Sequence, residues 1–327
     1  MFVKNIQISI QTRKSTQKIR GGEMTDDRRI YWVWLAMVLG AGSESFWKMC
    51  RGYRSISDFA ENVKALRFSN MNENQCERAK DISFRDAEEL IVKCAAQGVD
   101  TVIFRDERYP KRLKRTPNPP TVLFVRGDAD KLNAHRVVSV VGTRTPCDYS
   151  LKAAREICAE LARNGALIVS GAEVGIDVAA IEGALSTGHS AAALLGRGIL
   201  EENALDETIE ENCLLVSEYT DRSSFGKVSF NNRNRILCGL CDLVLFVEAR
   251  ADSRGLNNVK HAELINRPVF CVPPADIFDI RFKGQQLLLT NGAQPAFSGS
   301  QILARYAELV GETLRTVKFA DIKTEPH

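Results

Sequence analysis

Three stretches place glycine beside a hydroxyl or a guanidinium group: Gly142-Thr143-Arg144, Ser170-Gly171 with Gly175 further on, and Gly196-Arg197-Gly198. Each follows an apolar run, so each falls where a strand gives way to a helix. Glycine at such a point lets backbone N–H groups approach an anion closely, with the positive end of the helix behind them. Phosphate is the natural ligand for that arrangement. A fourth stretch, Ser229-Phe230-Asn231-Asn232-Arg233-Asn234-Arg235-Ile236, sets two arginines at the mouth of a helix. Residues two apart do not share a helix face. One guanidinium can therefore point into a crevice while the other pairs structurally, with Glu218 or Glu248 as candidate partners. Lys227, Arg144, Arg197 and Arg254 fall at the same end of the fold by topology. A rim of Arg and Lys around backbone anion nests suits a sugar-phosphate chain better than one small metabolite.

Other chemistries find little support. No G-x-G-x-x-G follows the first strand, so the dinucleotide fingerprint is missing, and no G-x-x-x-x-G-K-[ST] marks a P-loop. The four histidines (His135, His189, His261, His327) stand apart from any G-x-S-x-G elbow. No catalytic residue, cofactor or metal ligand is assigned. Cys238-Gly-Leu-Cys241 has zinc or redox spacing, but no second pair follows at a ligand-like distance. Two buried cysteines on one helix is the plainer reading. The nine cysteines are scattered and odd in number, as small hydrophobes are in a reducing compartment.

The elements that must position these loops come from the apolar pattern. From Val137 onward, short apolar runs (137–141, 166–169, 190–195, 214–216, 243–247, 269–272) alternate with amphipathic helices (from Pro146, over 176–186, through 232–240, over 258–266). Continuous apolar strands alternating with helices mean a parallel sheet covered on both faces. The fold class is α/β, Rossmann-like, with the ligand crevice at the C-terminal strand ends. Ahead of it, residues 29–127 read as a small, mostly helical domain closed by linker strands. Helical spacing runs from Arg29 to Gly98, and the turn Leu39-Gly40-Ala41-Gly42 fits either a DNA-contacting helix-hairpin-helix or a plain interhelical turn. Arg105 to Arg115 holds six basic residues against two acids. That stretch is either a phosphate-attracting patch or a solvated loop.

The chain of 327 residues has 44 Lys+Arg against 41 Asp+Glu, a formal net charge of only +3. That balance excludes a histone-like polycation and leaves room for a local basic patch. The longest apolar stretch, 30–42, falls short of a membrane span, and the N-terminus lacks an h-region; a cytoplasmic protein without membrane contact is expected. Residues 1–28 read as a disordered arm, 134–295 as the Rossmann-like DNA-binding domain, and 296–327 as a helical tail.

Taken in order, these motifs resemble the DprA/Smf family (DNA-processing protein A). Its V-G-[ST]-R is matched by Val141-Gly142-Thr143-Arg144. Its S-G-x-A-x-G-I-D-x-x-A-H-x-G-A-L is matched by Ser170-Gly171, Gly175-Ile176-Asp177, Ala180 and Gly183-Ala184-Leu185. Its F-P-x-R-N-R-I-I-x-G-L is matched by Phe230, Arg233-Asn234-Arg235-Ile236 and Gly239-Leu240, with Ser253 on a later loop and Tyr109-Pro110 upstream. Glu173 stands where the family has Ala, Ile181 where it has His, Arg254 where it has Gly, and Pro274 where it has Gly. Glu173 is expected to weaken anion binding. The resemblance implies a non-enzymatic recombination mediator, without metal or cofactor chemistry, that binds single-stranded DNA. Such a protein acts as a homodimer and loads the RecA recombinase in DNA uptake and natural transformation. It implies DNA or phosphate contacts at Gly142, Thr143, Arg144, Ser170, Gly171, Gly175, Gly196, Arg197, Lys227, Arg233, Asn234, Arg235 and Ser253. Two alternatives share the fold: a LOG-type nucleotide-binding protein or nucleoside-phosphate hydrolase, and a nucleotide sensor in a defence system. The hydrolase needs a P-G-G-x-G-T loop, and Ser253–Asn258 lacks the paired glycines.

Overall fold

The computed structural model describes residues 29–42, 44–201, 207–221 and 227–311. The expected arm at 1–28 lies outside them. Five helices come first: α1 (Arg29–Leu39), α2 (Glu44–Met49), α3 (Ile56–Lys64), α4 (Glu73–Asp81) and α5 (Phe84–Ala96). Ser55 caps α3, and capping boxes start α4 (Asn72 with Gln75) and α5 (Ser83 with Asp86). Each box satisfies two amides that a helix start leaves open. α1 buries Trp32, Val33, Trp34, Leu35, Val38 and Leu39. A helix apolar nearly all round belongs inside a core, and α1 is the centre of this one. Among the described residues, no helix is long and apolar enough to cross a membrane.

Nine strands form one sheet in the order β1-β2-β6-β5-β4-β3-β7-β8-β9. β1 (Val99–Ile103) and β2 (Val122–Arg126) pair antiparallel, and β2 pairs antiparallel with β6 (Leu214–Ser217). The stretch 29–127 is thus continuous with the large sheet, because β2 covers an edge of β6 that would otherwise expose a row of unpaired N–H and C=O groups. The remaining pairings are parallel: β3 (Arg136–Val141), β4 (Ala166–Ser170), β5 (Ala191–Leu195), β6, then β7 (Leu243–Phe246), β8 (Val269–Cys271) and β9 (Gln294–Pro295).

Alternate residues of each strand face opposite cores. Val138, Val140, Ile168 and Leu245 pack with Ile157 and Leu161 of α6 (Asp148–Arg163) and with Ile176 and Ala180 of α7 (Ile176–Leu185). Val137, Val141, Val169, Val244 and Phe246 pack with Ile236 and Leu240 of α9 (Lys227–Leu240) and with Val259 and Ala262 of α10 (Asn257–Leu264). The two covered faces explain why the strands read as unbroken apolar runs. The sequence pattern did not show α8 (Glu207–Asn212), α11 (Lys283–Thr290) or β9; α12 (Gly299–Gly311) closes the described chain. β3 to β6 wind in one direction, and β7 then returns to the other side of β3. That reversal opens a crevice at the C-terminal end of β3.

Candidate nucleic-acid interface

A cavity of about 450 Å³ fills this crevice. Gly142, Thr143 and Arg144 from the end of β3 line it, with Glu173 from the loop after β4 and Asp177 from the first turn of α7. Arg233 and Asn234 of α9 and Ser253, Arg254 and Asn258 near α10 complete it. The glycines are there for lack of space. A Cβ on Gly142 would lie 2.5 Å from Ile176, and one on Gly171 would lie 2.5 Å from the Asp177 carboxylate and 2.7 Å from the Arg233 guanidinium. Ser170 is buried, and its Oγ donates to the Val140 carbonyl at 2.8 Å, tying the end of β4 to β3. Ser253 Oγ accepts from Gly255 N, and Asn258 Nδ2 donates to Gly255 O, so that loop is held from both sides.

Two of the cavity arginines face an acid within the cavity. Arg144 Nη2 lies 2.8 Å from Glu173 Oε2, and its side chain is 50% exposed. Arg233 is 11% exposed, with Nη1 3.5 Å from Glu173 Oε1 and 3.1 Å from the Gly171 carbonyl. Asp177 forms the floor at 8% exposure. Burial pushes its carboxyl up to about 6, against the pull of Arg233. A carboxyl raised from 3.8 to about 6 contributes stability that is fully present below 3.8 and lost as pH rises through about 6. Asp177→Asn is therefore expected to stabilise the protein by about 3 kcal/mol above neutrality, with little gain near pH 4. Melting curves across that range test this, and a pH-independent gap would overturn it.

The two arginines of α9 divide the work differently from the assignment made on motif alone, which gave Arg235 a phosphate. Arg235 does not line the cavity. Its Nη2 donates to both Glu218 oxygens, at 2.6 and 2.7 Å, and its Nη1 donates to the Asn118 carbonyl. Arg233 is the one facing the cavity. The physical reason is helix phase: a step of two residues turns the side chain to another face of α9, where Glu218 waits at the end of β6. Gly196 is buried, Arg197 accepts from Ser217 Oγ through its carbonyl, and neither lines the cavity. Lys227 is the first residue of α9, and its side chain lies outside the described residues. The Gly40–Gly42 turn packs inward: Gly42 N donates to Glu218 Oε1 at 2.8 Å. In the basic stretch, Arg108 pairs with Asp100, Arg112 with Asp242, and Lys114 lies over Phe104 and Tyr109. Those three cations brace the fold.

Sequence reasoning did not assign Asp177 or Asn258 to the site. An acid in the first turn after a glycine loop was a visible signal for Asp177. Asn258 arrives from a distant helix and had none. Cys238 and Cys241 are buried, with thiols pushed up by burial, and Cys241 Sγ donates to the Cys238 carbonyl. Among the described residues, no three His, Cys, Asp or Glu side chains cluster as metal ligands would.

A parallel sheet covered on both faces, with an arginine-lined cavity at its switch point, defines a Rossmann-like α/β protein. Its family follows from comparison: the profile of DNA recombination-mediator protein A matches residues 83–307, and the chain belongs to that family. Protein Smf of Synechocystis is 35% identical over 208 residues, 61% of this chain and 52% of that protein, so the chain spans about half of Smf's length. DNA processing protein DprA of Bacillus subtilis is 30% identical, covering 65% of this chain and 73% of that one. The X-ray structure of DprA from Streptococcus pneumoniae superposes with a TM-score of 0.66 at 26% identity, covering 84% of this chain and 92% of that one. A Helicobacter pylori DprA, described for its single-stranded DNA binding mode, gives 0.57 at 29% identity over 64% of this chain and 96% of that one.

Proposed function

We propose that this protein binds single-stranded DNA through the cavity at the end of β3 and acts, without catalysing a reaction, as a recombination mediator. In this reading it delivers the strand to a RecA-type recombinase during DNA uptake. The observation that carries the reading is Arg144: a half-exposed guanidinium at a glycine-lined switch-point cavity, beside the less exposed Arg233. The H. pylori relative, described for binding single-stranded DNA, supports it. Gly142, Thr143, Gly171, Gly175, Asn234 and Ser253 shape the bed for the backbone. A homodimer fits the exposed apolar side chains Ile277, Phe278 and Ile280, of which Phe278 is 87% exposed.

The test is a salt titration with single- and double-stranded oligonucleotides. Single-strand affinity is expected to fall with log salt at a slope of about −0.7 per phosphate contact. Arg144→Ala is expected to weaken binding for every sequence and to reduce that slope by about 0.7, leaving the melting temperature nearly unchanged. A folded Arg144→Ala protein with an unaltered slope would place the DNA elsewhere.

A further inference from the structure

Glu173 holds two of the three cavity arginines at once. Its two carboxylate oxygens diverge, Oε2 to Arg144 at 2.8 Å and Oε1 to Arg233 at 3.5 Å. Two oxygens bridging two guanidinium groups is the way a phosphate diester would engage the same pair. The loop that carries it is set in an unusual conformation, with Ala172 at φ +57° and Gly175 at φ +91°. A non-glycine residue in the left-handed region costs energy and persists only where its surroundings hold it. From this loop Glu173 lines the cavity. The Glu173 side chain is itself 32% exposed, so it has solvent to move into.

We propose that Glu173 is a built-in competitor for the phosphate subsite formed by Arg144 and Arg233. A DNA phosphate enters only by displacing this carboxylate. The inference rests on the reading of the cavity as the DNA site and specifies how that site is regulated. The charge balance makes the consequence concrete. The cavity lining carries Arg144, Arg233 and Arg254 against Glu173 and Asp177, so expelling one carboxylate raises its formal net charge from +1 to +2. A strand already held by neighbouring phosphates presents the next one at high effective concentration. It can therefore drive the exchange at dilutions where a lone phosphate does not.

The experiment measures anisotropy of a fluorescent oligothymidylate with four proteins: wild type, Glu173→Gln, Arg144→Ala and the double variant. Glu173→Gln keeps the shape and removes the charge. It is expected to bind about fivefold tighter, the scale of one partly exposed ion pair released, with a salt slope steeper by about 0.7. In the Arg144→Ala background the gain should shrink to less than about twofold, since one guanidinium that Glu173 occupies is gone. Glu173→Ala repeats the measurement should the glutamine variant fold poorly. Unchanged affinity for Glu173→Gln, or a gain that persists undiminished without Arg144, overturns the proposal. If Arg144→Ala still weakens binding in that case, the cavity remains the DNA site and only the competitor falls. If neither substitution matters, both readings fall together.

Discussion

Arg235→Ala is expected to destabilise the protein by about 3–5 kcal/mol, the scale for breaking one side of a buried ion pair. The Arg235 side chain is 16% exposed and that of Glu218 only 5%. Removing the guanidinium leaves Glu218 buried with, among the described residues, the Gly42 amide as its remaining hydrogen-bond donor. The pair also joins four segments. Glu218 follows β6, Arg235 belongs to α9, Asn118 precedes β2, and Gly42 is in the turn between α1 and α2. Asn232, one helical turn from Arg235, donates to Tyr219 Oη in the same place. Loss of the pair therefore loosens the seam between the N-terminal helices and the sheet. At roughly 1.5 °C per kcal/mol for a chain of 327 residues, from about 2 cal/mol/K of unfolding entropy per residue, the melting temperature should drop by about 6 °C. Arg235→Lys keeps a charge but not the two-pronged geometry, and should fall between. A variant that melts within about 2 °C of wild type yet binds DNA poorly would return Arg235 to the interface.

Much of the fold was legible because its strands are buried on both faces. Runs such as Val137–Val141 and Leu243–Phe246 carry no polar alternation to confuse the reading. The strand-end glycines were legible for a related reason: Gly142 and Gly171 stand where a side chain would collide with Ile176 or Asp177. What stayed hidden depended on tertiary position. β9 consists of Gln294 and Pro295, which no apolar pattern marks, and it exists only because β8 offers an edge. The joining of β1 and β2 to the large sheet likewise needed the edge of β6. In the site, spacing showed that Arg233 and Arg235 face apart, and only the phase of α9 against the sheet decides which meets Glu218. Glu173 was visible as an unusual acid, but its reach to two arginines from different elements is a matter of tertiary position.

Gly175→Ala should damage both stability and binding, because it strikes the joint between the two loops that make the cavity. Gly175 has φ +91° and ψ −126°, a region that side-chain-bearing residues rarely enter. An added Cβ would also lie 2.5 Å from the Thr143 carbonyl oxygen and 2.8 Å from the Arg144 carbonyl. Those are backbone atoms, which cannot swing away as a side-chain tip can. The Gly142–Arg144 loop must retreat, and the hydrogen bond from Ile176 N to Thr143 O, 3.1 Å long, is lost with it. Arg144 then leaves the end of α7. Strain, clash and lost hydrogen bond together suggest about 3–4 kcal/mol. Oligonucleotide affinity should drop by about tenfold or more, the scale of one charge-assisted contact. Gly188→Ala separates backbone strain from crowding. Gly188 has φ +76°, but nothing lies within 4 Å of its added Cβ, so that variant should lose only about 1 kcal/mol and bind DNA normally. If the two variants melt and bind alike, the close approach of α7 to the Gly142–Arg144 loop is not what holds the cavity in shape.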